Sequence, residues 1–170
     1  MTMLGNILLL SIKPEYADKI FSGKKTVELR RVRTRLSPGD LVLVYVSSPK
    51  KALVGSFEVE GVSQIEIENL QKDLNIFWEQ IKDKAKISYR EFRNYYKGAS
   101  IVVGISLKNV KSFSLPVELK QLRQRIPEFQ PPQSYRYLKP TELKMFESIL
   151  QEDIVCSYEQ LELFNDTLVS

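Results

Sequence analysis

Histidine is absent from the 170 residues, and cysteine occurs once, at Cys156. Without histidine there is no Ser-His-Asp triad, no Cys-His dyad and no His-liganded zinc. Acid-base chemistry here must come from Lys, Glu, Asp, Tyr, Thr or Ser. No cofactor and no metal centre is expected. One cysteine allows no intrachain disulfide, which suits a reducing, cytoplasmic compartment. No apolar run approaches the roughly 18–20 residues of a membrane span. The opening stretch Met1 to Asn6 lacks the basic region of a secretory signal.

What is present is the composition of a globular domain, 43% hydrophobic and 27% charged. A chain of this length fits one domain and can bury a core without metal or disulfide staples. Its charge is uneven. Residues 1–35 carry eight Lys/Arg against three acids, whereas residues 141–170 carry one Lys against seven acids. This distribution predicts a basic site with an acidic far end rather than a uniformly basic surface.

The apolar run Ile7 to Ile12 reads as a buried strand. Pro14 opens a helix at a favoured first-turn position, with Tyr16, Ile20 and Phe21 as its apolar face and Ser22-Gly23 as its end. Residues 26–30 alternate, so Thr26, Glu28 and Arg30 are expected on one face and Val27 and Leu29 on the other. Pro38-Gly39-Asp40 is a turn into a strand over 41–46 that is apolar on both sides. Another strand follows over 53–62, with Gly55 and Gly61 as bend or bulge positions. Residues 63–87 read as polar and helical around Phe77, Trp78 and Ile81. Ser88-Tyr89-Arg90-Glu91 is a capping box for a helix that closes at Gly98. Residues 100–113 return to strand, 115–125 to loop or short helix. Pro127, Pro131 and Pro132 impose an extended path. Helices are expected over 141–150 and, separately, over 157–168. Regular βαβ alternation is missing, which argues for a small mixed barrel over a doubly wound sheet.

Four groups carry candidate chemistry. Lys25, Thr26, Glu28 and Arg30 fall within six residues at a helix-to-strand corner. A carboxylate flanked by Lys and Arg stays ionised and can accept bidentate hydrogen bonds. Ordinary ion pairs on a solvated strand edge would use the same residues. Arg31, Arg33 and Arg35 follow with no intervening acid and would form a positive rim or a solvated loop. On the helix after Ser88, Arg90, Arg93 and Lys97 share one face beside an aromatic stripe of Tyr89, Phe92 and Tyr96. That arrangement suits phosphates and stacked bases, or simply a basic surface over core aromatics. Gln133, Ser134, Tyr135, Arg136 and Tyr137, stiffened by the preceding prolines, offer polar groups and stacking surfaces or a structural closing strand. Ser47-Ser48-Pro49 is a weaker addition to the same cleft.

Gly23, Lys25, Glu28 and Arg30 match G-x-K-x-x-E-x-R, which resembles the signature of the ASCH family. Leu9-Leu10-Ser11-Ile12-Lys13-Pro14 resembles the family's opening strand and turn. Gly39-Asp40 with Val42-Leu43-Val44-Tyr45 resembles its second strand, and residues 52–59 its third. The resemblance spans about residues 7–138. It implies an α+β fold, a PUA-like mixed β-barrel (pseudo-barrel) flanked by short helices. The domain would cover residues 1–138, with an acidic helical C-terminal extension over 139–170 packed on it.

The resemblance further implies an RNA- or nucleotide-binding module with a cleft beside the signature. Lys25 and Arg30 would hold phosphate or carbonyl oxygens, and Glu28 would accept from a base N–H. The expected partner is single-stranded or looped RNA, or a nucleotide-like ligand. The alternative is a histidine-free hydrolase, a ribonuclease or a small-amide hydrolase of modified nucleosides, using Lys25, Glu28 and Thr26. The small-amide branch resembles G-x-K-x-x-T-x-R, with Thr as nucleophile. Here Glu28 occupies that position. A third reading gives the acidic residues 141–170 a protein partner and the chain a regulatory role.

Overall fold

The computed structural model describes residues 7–169, and inside the last helix the side chains of residues 154–158, 166 and 169 lie outside that description. The segment Met1 to Asn6 and the Cys156 side chain, both read above, therefore lie outside the described residues. In chain order the elements are β1 (Ile7–Ile12), α1 (Pro14–Phe21), β2 (Val27–Arg30), β3 (Leu41–Val46), β4 (Ala52–Glu66), α2 (Leu70–Ala85), α3 (Tyr89–Tyr95), β5 (Ile101–Glu118), α4 (Leu119–Arg125), β6 (Tyr135–Tyr137) and α5 (Pro140–Val169).

The strands form one sheet in the order β2-β5-β4-β3-β1-β6. β1 and β3 run parallel, and the other pairings are antiparallel. β4 and β5 are long, at fifteen and eighteen residues. Their pairing slips between Leu53 and Gly55, Ser56 and Glu58, and Val59 and Gly61. Bulges of this kind bend and twist a ribbon, and the sheet curls into a half-barrel. Gly55 is required at its bulge for space. A Cβ there would strike the Lys111 carbonyl oxygen and stand 2.6 Å from the Phe21 ring.

Strand alternation divides the apolar residues into two faces. Leu8, Leu10, Val42, Val44, Phe57 and Val103 lie inside the curl, capped by Ala17 and Ile20 of α1. Leu9, Leu43, Tyr45 and Leu53 lie on the opposite face, covered by Leu122 of α4 and by Phe146 and Ile149 of α5. A third cluster joins α2 and α3 to the β2–β5 end through Leu74, Phe77, Phe92, Tyr96, Val27 and Leu29. Both faces of β1 and β3 are therefore buried, which accounts for their unbroken apolar sequence.

Four expectations change. β5 runs on to Glu118, so of residues 115–125 only Leu119–Arg125 is helix and 115–118 are strand. Residues 63–66 continue β4, because β5 supplies hydrogen-bond partners as far as Glu66. α2 starts only at Leu70, where the Asn69 side chain accepts from the Lys72 amide at 3.0 Å. The two C-terminal helices are one 30-residue helix. Residues 141–169 contain no Gly or Pro to break it. Among the described residues no helix is long and apolar enough to cross a membrane. The Ser88 capping box forms as read: the Glu91 amide donates to Ser88 Oγ at 3.2 Å, and the Ser88 amide to Glu91 Oε2 at 2.8 Å.

Candidate functional site

The turn after α1 sets the site. Gly23 has φ +76°, a conformation that strains any side chain. The chain can then double back, so the Lys25 amide donates to the Lys19 carbonyl at 2.9 Å and the Thr26 amide to the Lys84 carbonyl at 2.8 Å. Residue 25 is thereby clamped between α1 and α2 just before β2 begins. Its side chain is 3% exposed, and Nζ donates to the Ala85 carbonyl at 2.7 Å.

Lys25 Nζ lies 3.6 Å from Glu28 Oε2. The other Glu28 oxygen is 3.0 Å from Arg30 Nη2. Arg30 reaches further: Nη1 donates to Ser134 Oγ at 3.2 Å and Nη2 to the Ser11 carbonyl at 3.4 Å. Arg30 sits on β2, one edge of the sheet, and Ser134 immediately precedes β6, the other edge. The buried Lys25–Glu28–Arg30 cluster thus lies at the seam where the curled sheet nearly closes. Tyr135 Oη donates to the Arg33 carbonyl at 2.7 Å, and the Arg35 amide donates to Tyr137 Oη at 3.1 Å, lacing the same seam.

Above the cluster is a cleft of about 350 Å³. Tyr16 of α1 forms one wall, with its ring centroid 5.7 Å from Lys25 Nζ. Tyr95 of α3 forms another, held by a 3.3 Å hydrogen bond from its hydroxyl to the Leu29 carbonyl. Lys13, Ser47 and Gln133 also line it. Burial pushes the Lys25 ammonium below its ordinary pKa, against the opposing pull of Glu28. Burial likewise pushes the Tyr95 and Tyr96 hydroxyls up, so both stay protonated. Arg30 Nε is buried with no hydrogen-bond partner, and the Lys25 ammonium has three protons for two partners, the Ala85 carbonyl and Glu28. The cluster therefore carries net positive charge and spare donors. It can receive an anionic or carbonyl-bearing group.

The structure sorts the candidates. Lys25, Glu28 and Arg30 converge, a contact the sequence does not fix, and Gln133 joins them in the cleft. Thr26 does not. It precedes β2, is exposed and forms no part of the cleft wall; its amide donates to the Lys84 carbonyl and its carbonyl accepts from the Leu107 amide. Arg136 also turns away. It makes a two-point pair with Glu142 at 2.7 and 2.9 Å and sits over the Phe129 ring on the opposite face of the sheet. Arg31 stacks on Tyr95 at 6.0 Å and donates to the Lys97 carbonyl, Arg33 pairs with Glu66 at 2.7 Å, and Arg35 covers the Tyr137 ring at 4.7 Å. These three form a rim outside the cleft. Arg90, Arg93 and Lys97 do not line it either; Glu91 and Tyr95 are the residues α3 contributes. In the aromatic stripe, Phe92 and Tyr96 are core residues, and only Tyr89 is exposed.

Sequence reasoning missed Tyr16, Tyr95, Ser11 and Lys13. The adjacent pair Tyr95-Tyr96 was a usable signal, since two large hydroxylated rings at a helix end cannot both be buried on one face. Among the described residues no group of three or more His, Cys, Asp or Glu converges as a metal site.

The profile of the ASCH domain matches residues 10–117. An ASCH domain-containing ribonuclease of Zymomonas mobilis is 29% identical over 144 residues, which is 85% of this chain and 92% of that protein. The crystal structure of ASCH from Zymomonas mobilis gives a TM-score of 0.73 at 29% identity, covering 84% of this chain and 94% of that one. Large ribosomal subunit protein uL22 of Ureaplasma parvum is 25% identical over 132 residues, 78% of this chain but 39% of that protein. Human THYN1, solved with DNA containing 5-methylcytosine, shares the fold at a TM-score of 0.52 and 10% identity, covering 85% of this chain and 97% of that one. The chain belongs to the ASCH domain family, and its curled mixed sheet with flanking helices is the fold of that family.

Proposed function

We propose that this ASCH domain binds single-stranded RNA and takes one nucleotide into the cleft above Lys25. The observation that carries this reading is the buried, net-positive cluster with unspent donors at Lys25 Nζ and Arg30 Nε. A phosphate or base carbonyl oxygen satisfies both. Glu28 fixes the two cations in place, and its remaining lone pairs can accept a base N–H. Tyr16 and Tyr95 supply faces for stacking, which is sequence-tolerant. The cleft volume falls at the small end of the roughly 300–1,000 Å³ usual for ligand sites. Lys13 and Gln133 complete the cleft lining. Arg31, Arg33, Arg90, Arg93 and Lys97 outside it extend a positive field along the flanking backbone. The name of the Zymomonas relative and the DNA bound to human THYN1 fit a nucleic-acid partner.

The test is a titration with labelled single-stranded RNA at several salt concentrations. Tight binding whose log K falls linearly with log salt is expected, with affinity at least about tenfold lower in Lys25→Met. Absent or salt-indifferent binding counts against the reading.

One observation favours a second reading, in which the domain also cleaves the RNA. A lysine whose pKa is lowered by burial and which sits beside a carboxylate can exchange protons nearer neutrality. Lys25 would take the proton of a ribose 2′-hydroxyl as that oxygen attacks the adjacent phosphorus. The P–O5′ bond would break, the 5′-oxygen would leave as a hydroxyl with a proton from solvent water, and the product would end in a 2′,3′-cyclic phosphate. Turnover of labelled RNA, lost in Lys25→Met, supports this reading; binding without turnover rejects it. The small-amide reading has no support, since Glu28 replaces the nucleophile and Thr26 lies outside the cleft.

A further inference from the structure

A second basic surface begins where the cleft ends, and the reading above leaves it unused. The chain leaves β3 through Ser47, which lines the cleft and donates from its hydroxyl to the Ile12 carbonyl at 3.3 Å. Four residues on, the Lys51 amide donates to the Ser47 carbonyl at 3.3 Å. The Lys51 carbonyl then accepts from the amide of Leu119, the first residue of α4, at 2.9 Å. This hydrogen-bonded run leads from the cleft lining at Ser47 to the start of α4. It ends at a depression of about 490 Å³ edged by Lys50, Lys51, Lys120 and Arg123.

The charges there are unbalanced. Glu118 contributes a carboxylate to the edge, but its backbone amide and Gln121 are engaged in closing the start of α4. Among the described residues Lys50, Lys51 and Lys120 enter no ion pair. Arg123 is fixed by bonds to the Phe129 carbonyl at 3.2 Å and the Gln130 side chain at 3.3 Å, neither of which neutralises it. Lys51 holds φ at 49°, where Gly or Asn is the less strained choice. Clustered cations without counter-charges repel one another, and a polyanion relieves that repulsion.

We infer that this depression is a second phosphate subsite, which grips the backbone of the single-stranded RNA whose nucleotide occupies the cleft. The inference rests on the proposed RNA reading of the cleft. Its reach is adequate: four residues of chain span at most about 14 Å, which about four stacked nucleotides cover at roughly 3.4 Å each. The contacts are to phosphates, so they add affinity and salt dependence without reading sequence. They also set a minimum length for full affinity.

The experiment compares the wild-type chain, the double variant Lys50→Gln/Lys120→Gln, and Lys51→Asn, which keeps a residue tolerant of the left-handed backbone. Each is titrated with a dinucleotide and with a single-stranded RNA of about ten nucleotides over a salt series. The expected result is a loss of about five- to tenfold on the longer RNA alone. The double variant's log K against log salt should be shallower by about 1.4, from two contacts at about 0.7 each. An unchanged affinity and slope on the longer RNA overturns the subsite, and so does an equal loss on both ligands, which marks a diffuse field. Wild-type protein that binds neither RNA overturns the cleft reading and the subsite together. Wild-type binding with unaffected variants overturns the subsite alone.

Discussion

Arg30 Nη1 donates to Ser134 Oγ at 3.2 Å and so joins the two ends of a six-stranded sheet. Among the described residues no backbone ladder joins β2 to β6; this side-chain contact, with the Tyr135 and Tyr137 hydroxyls beside it, spans the seam instead. The signature residues therefore sit at a seam, which makes their charge balance a matter of both stability and binding.

Glu28→Gln should show the stability half. The substitution keeps the shape but leaves Lys25 and Arg30 as two buried cations without their carboxylate. A loss of about 3 kcal/mol is expected, a fall in Tm of roughly 6–12 °C. Thermal unfolding of the two proteins side by side measures it, and a near-neutral result means the cluster is solvated in solution.

Lys25→Met should change the alkaline limb of the stability curve. Burial lowers the folded-state pKa below the ordinary 10.5, so between the two values the unfolded chain binds more protons than the folded one. Stability from this group accordingly rises with pH across that window. The buried tyrosines act oppositely above pH 10, because their raised pKa values keep them protonated only when folded. The difference between wild type and Lys25→Met isolates the lysine: denaturation at stepped pH should show the variant's relative advantage shrinking toward pH 10.5. A constant difference would mean Lys25 titrates normally.

Much of this was legible in the sequence, and the failures have physical causes. The unbroken apolar runs of β1 and β3, the Gly23 turn and the spacing of Lys25, Glu28 and Arg30 are local signals, and each survives in the fold. Thr26 misled because alternation says which face a side chain shares but not where the cleft ends: Thr26 is exposed just before β2, outside the cleft lining. The end of β4 was missed because its last residues are strand only by pairing with β5. Tyr16 and Tyr95 became cleft walls through the packing of α1 on β3 and β5 and of α3 on α2, a relationship absent from any local pattern.

Gly55→Ala tests the curl. The added methyl meets the Lys111 carbonyl and the Phe21 ring, one of which is backbone and cannot step aside. A cost of about 1–3 kcal/mol is expected, read as a lower denaturation midpoint. An unchanged midpoint would mean the β4–β5 bulge relaxes freely.

Arg136→Ala separates structure from recognition. Burial alone would raise the Glu142 pKa, but the Arg136 hydrogen bonds and the Lys139 amide more than offset it and hold it low. Stability from this pair is present above the ordinary carboxylate value of 4.5 and is lost as pH falls through the lowered one. The variant should lose about 2 kcal/mol at pH 7 and show a weaker acid dependence in unfolding experiments, with RNA affinity of the folded protein unchanged. Loss of affinity without loss of stability would return Arg136 to the binding surface.

The most direct measurement is a crystal structure of the protein with a short single-stranded RNA. The account predicts a phosphate or base oxygen within about 2.7–3.2 Å of Lys25 Nζ or Arg30 Nε, with a base against Tyr16 or Tyr95. RNA bound elsewhere on the molecule, with the space between Lys25 and Arg30 free of it, would contradict the central claim.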